Sequence, residues 1–331
     1  MRFENIPKLF QYTGDLAMIR LGLIGYPLEH SLSPKIHAAA LESCGLQGEY
    51  CLYPIHPDDH QGLKAMLARV RSGEIAGLNV TIPHKQNVIP FLNDLTPTAK
   101  TIGAVNTISM QNGKLTGDNT DAPAFLTDLH SFFVMRTERE DKNALVLGAG
   151  GGARAITFAL INDGWNVAVA ARRVGQAQAL IDQFPNLDSR LRYVGYHPAS
   201  ISCLLPALDL IVNTTPVGMS PKIEDSPWHV NLPFPSCAAV YDLVYNPGET
   251  MLVRDARLAG LPATTGIGML IEQAALAFKI WTGSDPQREN LVKDILLTEN
   301  WSSNVTFPHR RRISWPCPDR HSRRDARWPA A

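Results

Sequence analysis

The 331-residue chain reads as an α/β protein built from two successive α/β domains. Three observations carry that reading. Apolar, strand-length runs alternate with helical patterns from Arg20 to about Asp121, a second alternating series starts at Ala144, and a glycine-rich turn over Gly148-Ala149-Gly150-Gly151-Gly152 sits inside that second series. Alternation of this kind favours parallel strands joined by crossover helices.

In the first series the strands are expected at Leu21–Gly25, Tyr50–Ile55 and Ala76–Val80, and the helices at Pro34–Cys44 and His60–Arg71. Ser33 is a candidate N-cap with Pro34 at the first helical position. Gln111-Asn112-Gly113-Lys114, between strand-like runs from Val105 to Gly117, predicts a hairpin with an Asn-Gly turn, so the sheet is mixed and mainly parallel. A helix over Asp121–Phe133 links the domains. The second series places strands at Ala144–Leu147, Val167–Ala171, Leu208–Asn213 and Ala239–Val244, with a helix over Ala153–Asp163, as in a nucleotide-binding fold. A helix over Met269–Trp281 returns to the first domain, and both connecting helices are expected to floor a cleft.

The expected organisation is a head over 1–19, a first domain over 20–120 completed by a helix at about 266–297, a linking helix and nucleotide-binding domain over 121–265, and a basic tail over 300–331. In the tail, His309-Arg310-Arg311-Arg312 and Arg323-Arg324 lie among Trp, Pro and Ser without periodicity, which points to disorder rather than a nucleic-acid arm.

With 31 basic and 31 acidic residues the chain has no overall field to attract nucleic acid or an anionic membrane, so its ligand is a small molecule recognised locally. Met1 to Arg20 contains no signal-peptide core, and no stretch of about twenty uncharged apolar residues appears. The five cysteines form no C-x-x-C pair, and reduced thiols in a cytoplasmic protein are expected. Assembly is left open, a homodimer included.

Gly148, Gly150 and Ala153 fall at the positions of the dinucleotide fingerprint, between a strand and a helix, where backbone N–H groups and a helix N-terminus can meet a pyrophosphate. A tight turn with no ligand would share that pattern. The next strand ends in Ala170-Ala171-Arg172-Arg173 without the acid that binds an NAD ribose, and two guanidiniums suit a 2′-phosphate, so NADP is favoured with NAD as the alternative. Taken singly, Arg172 and Arg173 could be solvated loop residues, Ser31 and Ser33 helix caps, Lys85 a surface charge and Asp121 a helix cap.

The ordered set Ser31-Leu32-Ser33-Pro34, Asn79-Val80-Thr81-Ile82-Pro83-His84-Lys85, Ala104-Val105-Asn106-Thr107, Gly117-Asp118-Asn119-Thr120-Asp121, the glycine turn, Asn213-Thr214-Thr215-Pro216-Val217-Gly218-Met219, Asp242-Leu243-Val244-Tyr245-Asn246-Pro247 and Gly268-Met269-Leu270-Ile271-Glu272-Gln273 resembles shikimate dehydrogenases, from about Leu21 to Leu297. The resemblance implies an N-terminal substrate-binding and catalytic domain, a C-terminal Rossmann-type domain, and interconversion of 3-dehydroshikimate and shikimate with NADP in aromatic amino-acid biosynthesis. It implies a catalytic pair of Lys85 and Asp121. Ser31, Ser33 and Tyr245 would bind the substrate carboxylate, and Thr81, Asn106 and Gln273 the ring hydroxyls. Gly148, Ala149, Gly150, Gly151, Gly152, Arg172, Arg173, Leu243 and Gly266 would line the cofactor site.

The chemistry agrees with those roles. Hydride reduction of a ketone develops negative charge on oxygen, which an adjacent ammonium can stabilise and protonate, with a carboxylate favouring its charged form. No metal is needed, and no ligand cluster appears. The chain departs from the family at Gln176, where a second arginine often follows the first, and in its head and tail, which lie outside the resemblance. A quinate/shikimate dehydrogenase using NAD is the rival enzyme reading. A ligand-binding regulatory homologue without turnover is the rival from another class, against which the intact Lys85 and Asp121 count.

Overall fold

The computed structural model describes residues 18–134, 142–185, 190–292 and 313–314, which fall in two compact units. Unit 1 comprises Met1–Lys100, Ala104–Thr120 and Ile271–Asn300, and unit 2 comprises Thr101–Gly103, Asp121–Leu270 and Trp301–Ala331. The expectations for residues 1–17 and 293–297, and all but two residues of the tail, lie outside the described residues.

Unit 1 runs β1 (Ile19–Gly25), α1 (Ser33–Ser43), β2 (Gly48–Pro54), α2 (His60–Arg71), β3 (Gly77–Val80), α3 (His84–Asn87), β4 (Asp94–Leu95), α4 (Pro97–Ile102, which ends in unit 2), β5 (Thr107–Gln111) and β6 (Lys114–Asp118). Its sheet has the order β2-β1-β3-β5-β6-β4. The β2, β1 and β3 strands are parallel, whereas β5 runs antiparallel to both β3 and β6. Asn112 at φ 51° and Gly113 at φ 75° close the expected β5–β6 hairpin, both in the left-handed region that an Asn-Gly pair tolerates.

Helix α2 begins where Asp59 Oδ1 accepts the Gly62 N–H at 2.8 Å, a cap that contributes about 1 kcal/mol. Leu63, Leu67 and Val70, spaced at i, i+4 and i+7, are its buried stripe. They join Ile24, Ile75, Leu78, Val80, Val105, Ile108 and Leu115 in one apolar core.

Unit 2 starts with α5 (Asp121–Phe132) and β7 (Phe133–Val134), and continues through β8 (Lys142–Leu147), α6 (Gly151–Asn162), β9 (Trp165–Ala171), α7 (Val174–Ile181) and β10 (Leu191–Gly195). It then adds α8 (Pro198–Ser202), β11 (Leu210–Asn213), β12 (Ala239–Asp242), α9 (Met251–Leu258) and β13 (Ala263–Thr265) before α10 (Ile267–Thr282), whose residues from Ile271 count with unit 1. The six strands β10-β9-β8-β11-β12-β13 are all parallel. Numbered by sequence within the sheet this order is 3-2-1-4-5-6, the doubly wound nucleotide-binding topology.

Two expectations are corrected. Ser33 is the first residue of α1 and not its N-cap: Leu32 flanks the helix, and the Ser31 hydroxyl accepts the Ser33 N–H at 3.3 Å, so the upstream serine does the local capping. Cys237 is disulfide-bonded, while Cys44, Cys51 and Cys203 are free; an odd count leaves at least one thiol unpaired without forbidding a pair. Of residues 300–331 only β14 (Ile313–Ser314) is described, and it pairs in parallel with β7. None of the described helices is long and apolar enough to cross a membrane.

Trp281 of α10 closes the unit 1 core, its Nε1 donating to the Ile108 carbonyl at 3.1 Å. A Cβ built on Gly77 would stand 2.1 Å from that indole, so the helix can seat itself only against a glycine. Gly77→Ala is expected to destabilise the protein by about 1–3 kcal/mol through overpacking; a lowered urea midpoint with unchanged m-value is the measurement that checks it.

Candidate active site

One end of the unit 1 sheet gathers the chemistry. The parallel strands β1 and β3 finish there, antiparallel β5 starts there, and β6 finishes opposite it, with Asn79 across from Thr107 and Thr107 across from Asp118. The loop after β1 therefore brings Ser31 and Ser33, the turn after β3 brings Thr81 and Lys85, and Asn106 stands just ahead of β5. The turn after β3 is held by backbone bonds: Thr81 N–H donates to the Ile24 carbonyl at 2.9 Å, His84 N–H to Thr81 at 2.9 Å, and Val105 N–H to Lys85 at 2.7 Å. Lys85 is thereby fixed in the first turn of α3, half-buried, and His84 below it anchors to the Ile55 carbonyl at 2.7 Å.

Asn106 is buried and its carboxamide is bonded inward. Its Oδ1 accepts the Thr120 N–H at 2.8 Å and the Thr107 hydroxyl at 3.0 Å, and its Nδ2 donates to the Thr120 hydroxyl at 2.9 Å. Thr120 Oγ1 in turn reaches the backbone carbonyl of Gln273 at 3.2 Å. Asn106, Thr120 and Gln273 are thus brought together within unit 1. Asp121, the next residue, is buried at the N-terminus of α5 in unit 2, where a carboxylate complements the helix dipole.

The glycine turn occupies the switch point of the unit 2 sheet, between β8 and β11. Gly148 has φ 113° and donates its N–H to Ala170 at 2.8 Å, and a Cβ there would lie 2.6 Å from Thr214 Oγ1, so the fold itself demands glycine. Gly150 and Gly152 are different. Among the described residues a Cβ on Gly150 meets nothing within 4 Å, and one on Gly152 meets only Leu243 Cδ2 at 3.6 Å, so no packing contact there requires glycine at either. The space belongs to whatever approaches the N-terminus of α6, whose N-cap is Gly150 and has no side-chain cap.

Arg172 and Arg173 are exposed at the end of β9, and Arg173 is the N-cap residue of α7. The charge of Arg172 reaches Tyr196, opposing the burial that pushes that phenol up. Gly266 lets the chain after β13 pass against β12: a Cβ there would sit 2.4 Å from the Leu243 carbonyl. Leu243 and Tyr245 are half-buried on the loop after β12. A pyrophosphate cradle, an open glycine face and two guanidiniums are the donor set that an NADP molecule fits. Among the described residues no group of three or more His, Cys, Asp or Glu could hold a metal.

Comparison with known proteins agrees with this geometry. Residues 23–108 match the model of the shikimate dehydrogenase substrate binding domain, and residues 266–292 that of the shikimate 5′-dehydrogenase C-terminal domain. Over 280 residues the chain is 40% identical to a protein of Geobacillus kaustophilus named shikimate dehydrogenase (NADP(+)), covering 83% of this chain and 96% of that one. The chain belongs to the shikimate dehydrogenase family. A shikimate dehydrogenase of Thermus thermophilus, solved with NADP(H) and shikimate, superposes with a TM-score of 0.72 at 39% identity over 83% of this chain and 97% of that one. The quinate dehydrogenase of Corynebacterium glutamicum, solved with NAD, gives 0.74 at 32% identity over 85% and 99%.

Sequence reasoning within this family missed the polar residues that hold the site from behind: Tyr50, Asn79, Thr107 and Thr120. Two stood in the quoted motifs directly beside Asn106 and Asp121, a signal that went unused. It also missed the buried scaffold of the cofactor loop. Asn213 Nδ2 donates to Asp242 Oδ1 at 2.8 Å, Val244 N–H to the same oxygen at 3.0 Å, and the Thr250 hydroxyl to Asp242 Oδ2 at 2.7 Å.

Burial pushes the Asp242 carboxyl up to about 7 against the pull of those three donors. Because the folded state holds this proton more tightly than the unfolded one, the group's contribution is most favourable below its ordinary 3.8 and is lost as pH rises toward about 7. The stability difference between wild type and Asp242→Asn should therefore change between about pH 4 and about pH 7, the wild type losing ground as pH rises, and level off above that window. Urea titrations of both proteins across the window check it.

Proposed function

We propose that this chain is an NADP-dependent shikimate dehydrogenase that interconverts 3-dehydroshikimate and shikimate in the aromatic amino-acid pathway of the cytoplasm. The observation that carries the reading is the near full-length match to a relative of that name, on a chain that retains Lys85, Asn106 and Asp121 at the polar strand ends.

NADPH, when bound, supplies the hydride that reduces the ring ketone, and NADP⁺ accepts it in the reverse direction. Lys85 donates its proton to the ketone oxygen as negative charge develops there, so that C=O becomes CH–OH and the ammonium becomes an amine. Asp121, the other member of the catalytic pair, hydrogen-bonds the same hydroxyl and holds it for transfer. Ser31 and Ser33 bind the substrate carboxylate, with Tyr245 assisting. Thr81, Asn106 and Gln273 orient the ring hydroxyls and reject rings that leave those buried groups unpaired.

On the cofactor side, Gly148, Ala149, Gly150, Gly151 and Gly152 present backbone N–H groups to the pyrophosphate, Arg172 and Arg173 take the 2′-phosphate, and Leu243 and Gly266 line the nicotinamide end. The absence of any acid in Ala170-Ala171-Arg172-Arg173 supports NADP over NAD.

A steady-state matrix of shikimate and quinate against NADP⁺ and NAD⁺ tests the reading, with highest kcat/KM expected for shikimate with NADP⁺. Faster turnover of quinate with NAD⁺ would assign the chain to the activity of its Corynebacterium neighbour, and binding of shikimate without turnover would remove the enzyme reading altogether. Lys85→Ala should lower kcat by about two to four orders of magnitude, the usual contribution of a general acid, with a smaller change in KM; an unchanged kcat would take Lys85 out of the mechanism. Arg172→Ala should raise KM for NADP⁺ far more than for NAD⁺, since only the former carries the extra phosphate.

A further inference from the structure

Behind the reactive end of unit 1 a single file of hydrogen bonds runs through the core. The Tyr50 hydroxyl donates to Asn79 Oδ1 at 2.9 Å, and Asn79 Nδ2 donates to the Asn106 carbonyl at 3.2 Å and to Thr107 Oγ1 at 3.4 Å. Thr107 Oγ1 donates to Asn106 Oδ1 at 3.0 Å, Asn106 Nδ2 to Thr120 Oγ1 at 2.9 Å, and Thr120 Oγ1 to the Gln273 carbonyl at 3.2 Å. Asn79, Asn106, Thr107 and Thr120 are at most 4% exposed.

The direction of the file is dictated by groups with no choice. The Thr120 N–H, 2.8 Å from the Asn106 carboxamide, can only donate, so an oxygen must face it and the amide cannot be flipped. That oxygen also receives Thr107, which uses both of its lone pairs. Thr120 Oγ1 lies 3.2 Å from the same oxygen, 3.2 Å from the Gln273 carbonyl and 3.3 Å from Thr107 Oγ1; because the Asn106 oxygen already receives two donors, its one proton serves the carbonyl. Whatever Asn106 offers a ligand it therefore offers as an N–H donor.

We propose that Thr120 is a positioning residue for the reaction: its hydroxyl and its N–H together lock the Asn106 carboxamide as a donor and tie it to the backbone of Gln273. This rests on the shikimate dehydrogenase reading, in which Asn106 and Gln273 hold the substrate ring. Thr120→Val keeps the shape and the backbone N–H but removes the hydroxyl, leaving Asn106 Nδ2 facing a methyl group and the Gln273 carbonyl without this donor. Asn106 keeps its oxygen on the backbone N–H, but its nitrogen loses the acceptor that holds it, and the donor it presents to a substrate oxygen is no longer fixed in place.

The test compares the full chain with Thr120→Val, Thr120→Ser and Thr107→Val, reading kcat/KM for shikimate, calorimetric affinities for shikimate and for NADP⁺, and Tm. Thr120→Val is expected to lower kcat/KM for shikimate by about ten- to a hundredfold, the penalty of leaving a buried polar group unmatched, with NADP⁺ affinity unchanged. Thr120→Ser should restore most of the loss, and Thr107→Val, which removes the hydroxyl that donates to Asn106 Oδ1, should weaken shikimate in the same selective way. Wild-type kcat/KM in both valine variants would overturn the proposal. An equal weakening of NADP⁺ and shikimate would overturn it too, because a general loss of structure acts on both. A wild-type chain that binds shikimate without turning it over would refute the enzyme reading alone, since the calorimetric comparison of variants still decides the role of Thr120.

Discussion

The orientation of one buried carboxamide, that of Asn106, is the constraint on which the polar end of the unit 1 sheet depends. An asparagine side chain can present either an acceptor or donors in a given direction, and the two choices are opposite in chemistry while nearly identical in shape. Here the backbone N–H of Thr120 removes the choice. Because β3, β5 and β6 deliver Asn79, Thr107 and Thr120 to the same strand ends, the sheet register itself sets the direction of every bond in the file. A polar network of this kind is stabilising only when each member is matched, and it then rigidifies the site it surrounds.

Unit 2 solves a different problem. A dinucleotide is recognised through its phosphates, so the fold must bring backbone N–H groups up to an anion rather than present a particular side chain. Gly148 meets an internal demand, being forced by φ 113° and by Thr214. Gly150 and Gly152 meet no such demand, since among the described residues a Cβ would meet nothing within 4 Å at the first and only Leu243 Cδ2 at 3.6 Å at the second. Three glycines that look equivalent in sequence therefore do not share one physical cause.

The sequence made the strands and the main helices legible because burial leaves a periodic trace. Helix α2 appears with the bounds its apolar spacing implied, and the hairpin turn follows from Asn112-Gly113. What stayed hidden leaves no such trace. Strand β10, Leu-Arg-Tyr-Val-Gly, lies at the sheet edge with only Leu191 buried, and β13 is three residues long, so neither shows a run that separates it from a loop. The capping role of Ser31 could not be read because two serines flanking Leu32 compete for it, and only the backbone decides. Of the file behind Asn106 only Thr107 and Thr120, adjacent in sequence to Asn106 and Asp121, left a legible sign: Tyr50 and Asn79 are separated from Thr120 by dozens of positions, and hydrogen bonds impose no period.

The two units, different in topology and task, share one device. Each ends or begins a central strand with an asparagine whose side-chain oxygen is claimed by a following threonine: Thr120 for Asn106, and Thr215 for Asn213, whose Oδ1 accepts the Thr215 N–H at 3.0 Å and its hydroxyl at 2.7 Å. In each case the amide nitrogen then reaches across to a neighbouring segment, Thr120 before α5 in one unit and Asp242 at the end of β12 in the other. A strand end is rigid and a loop is not; an asparagine at the junction, saturated on its acceptor side, converts the register of the sheet into the position of the loop. That explains how groups such as Leu243, whose N–H bonds the Asn213 carbonyl at 2.9 Å, can sit on loops and still be placed by the sheet.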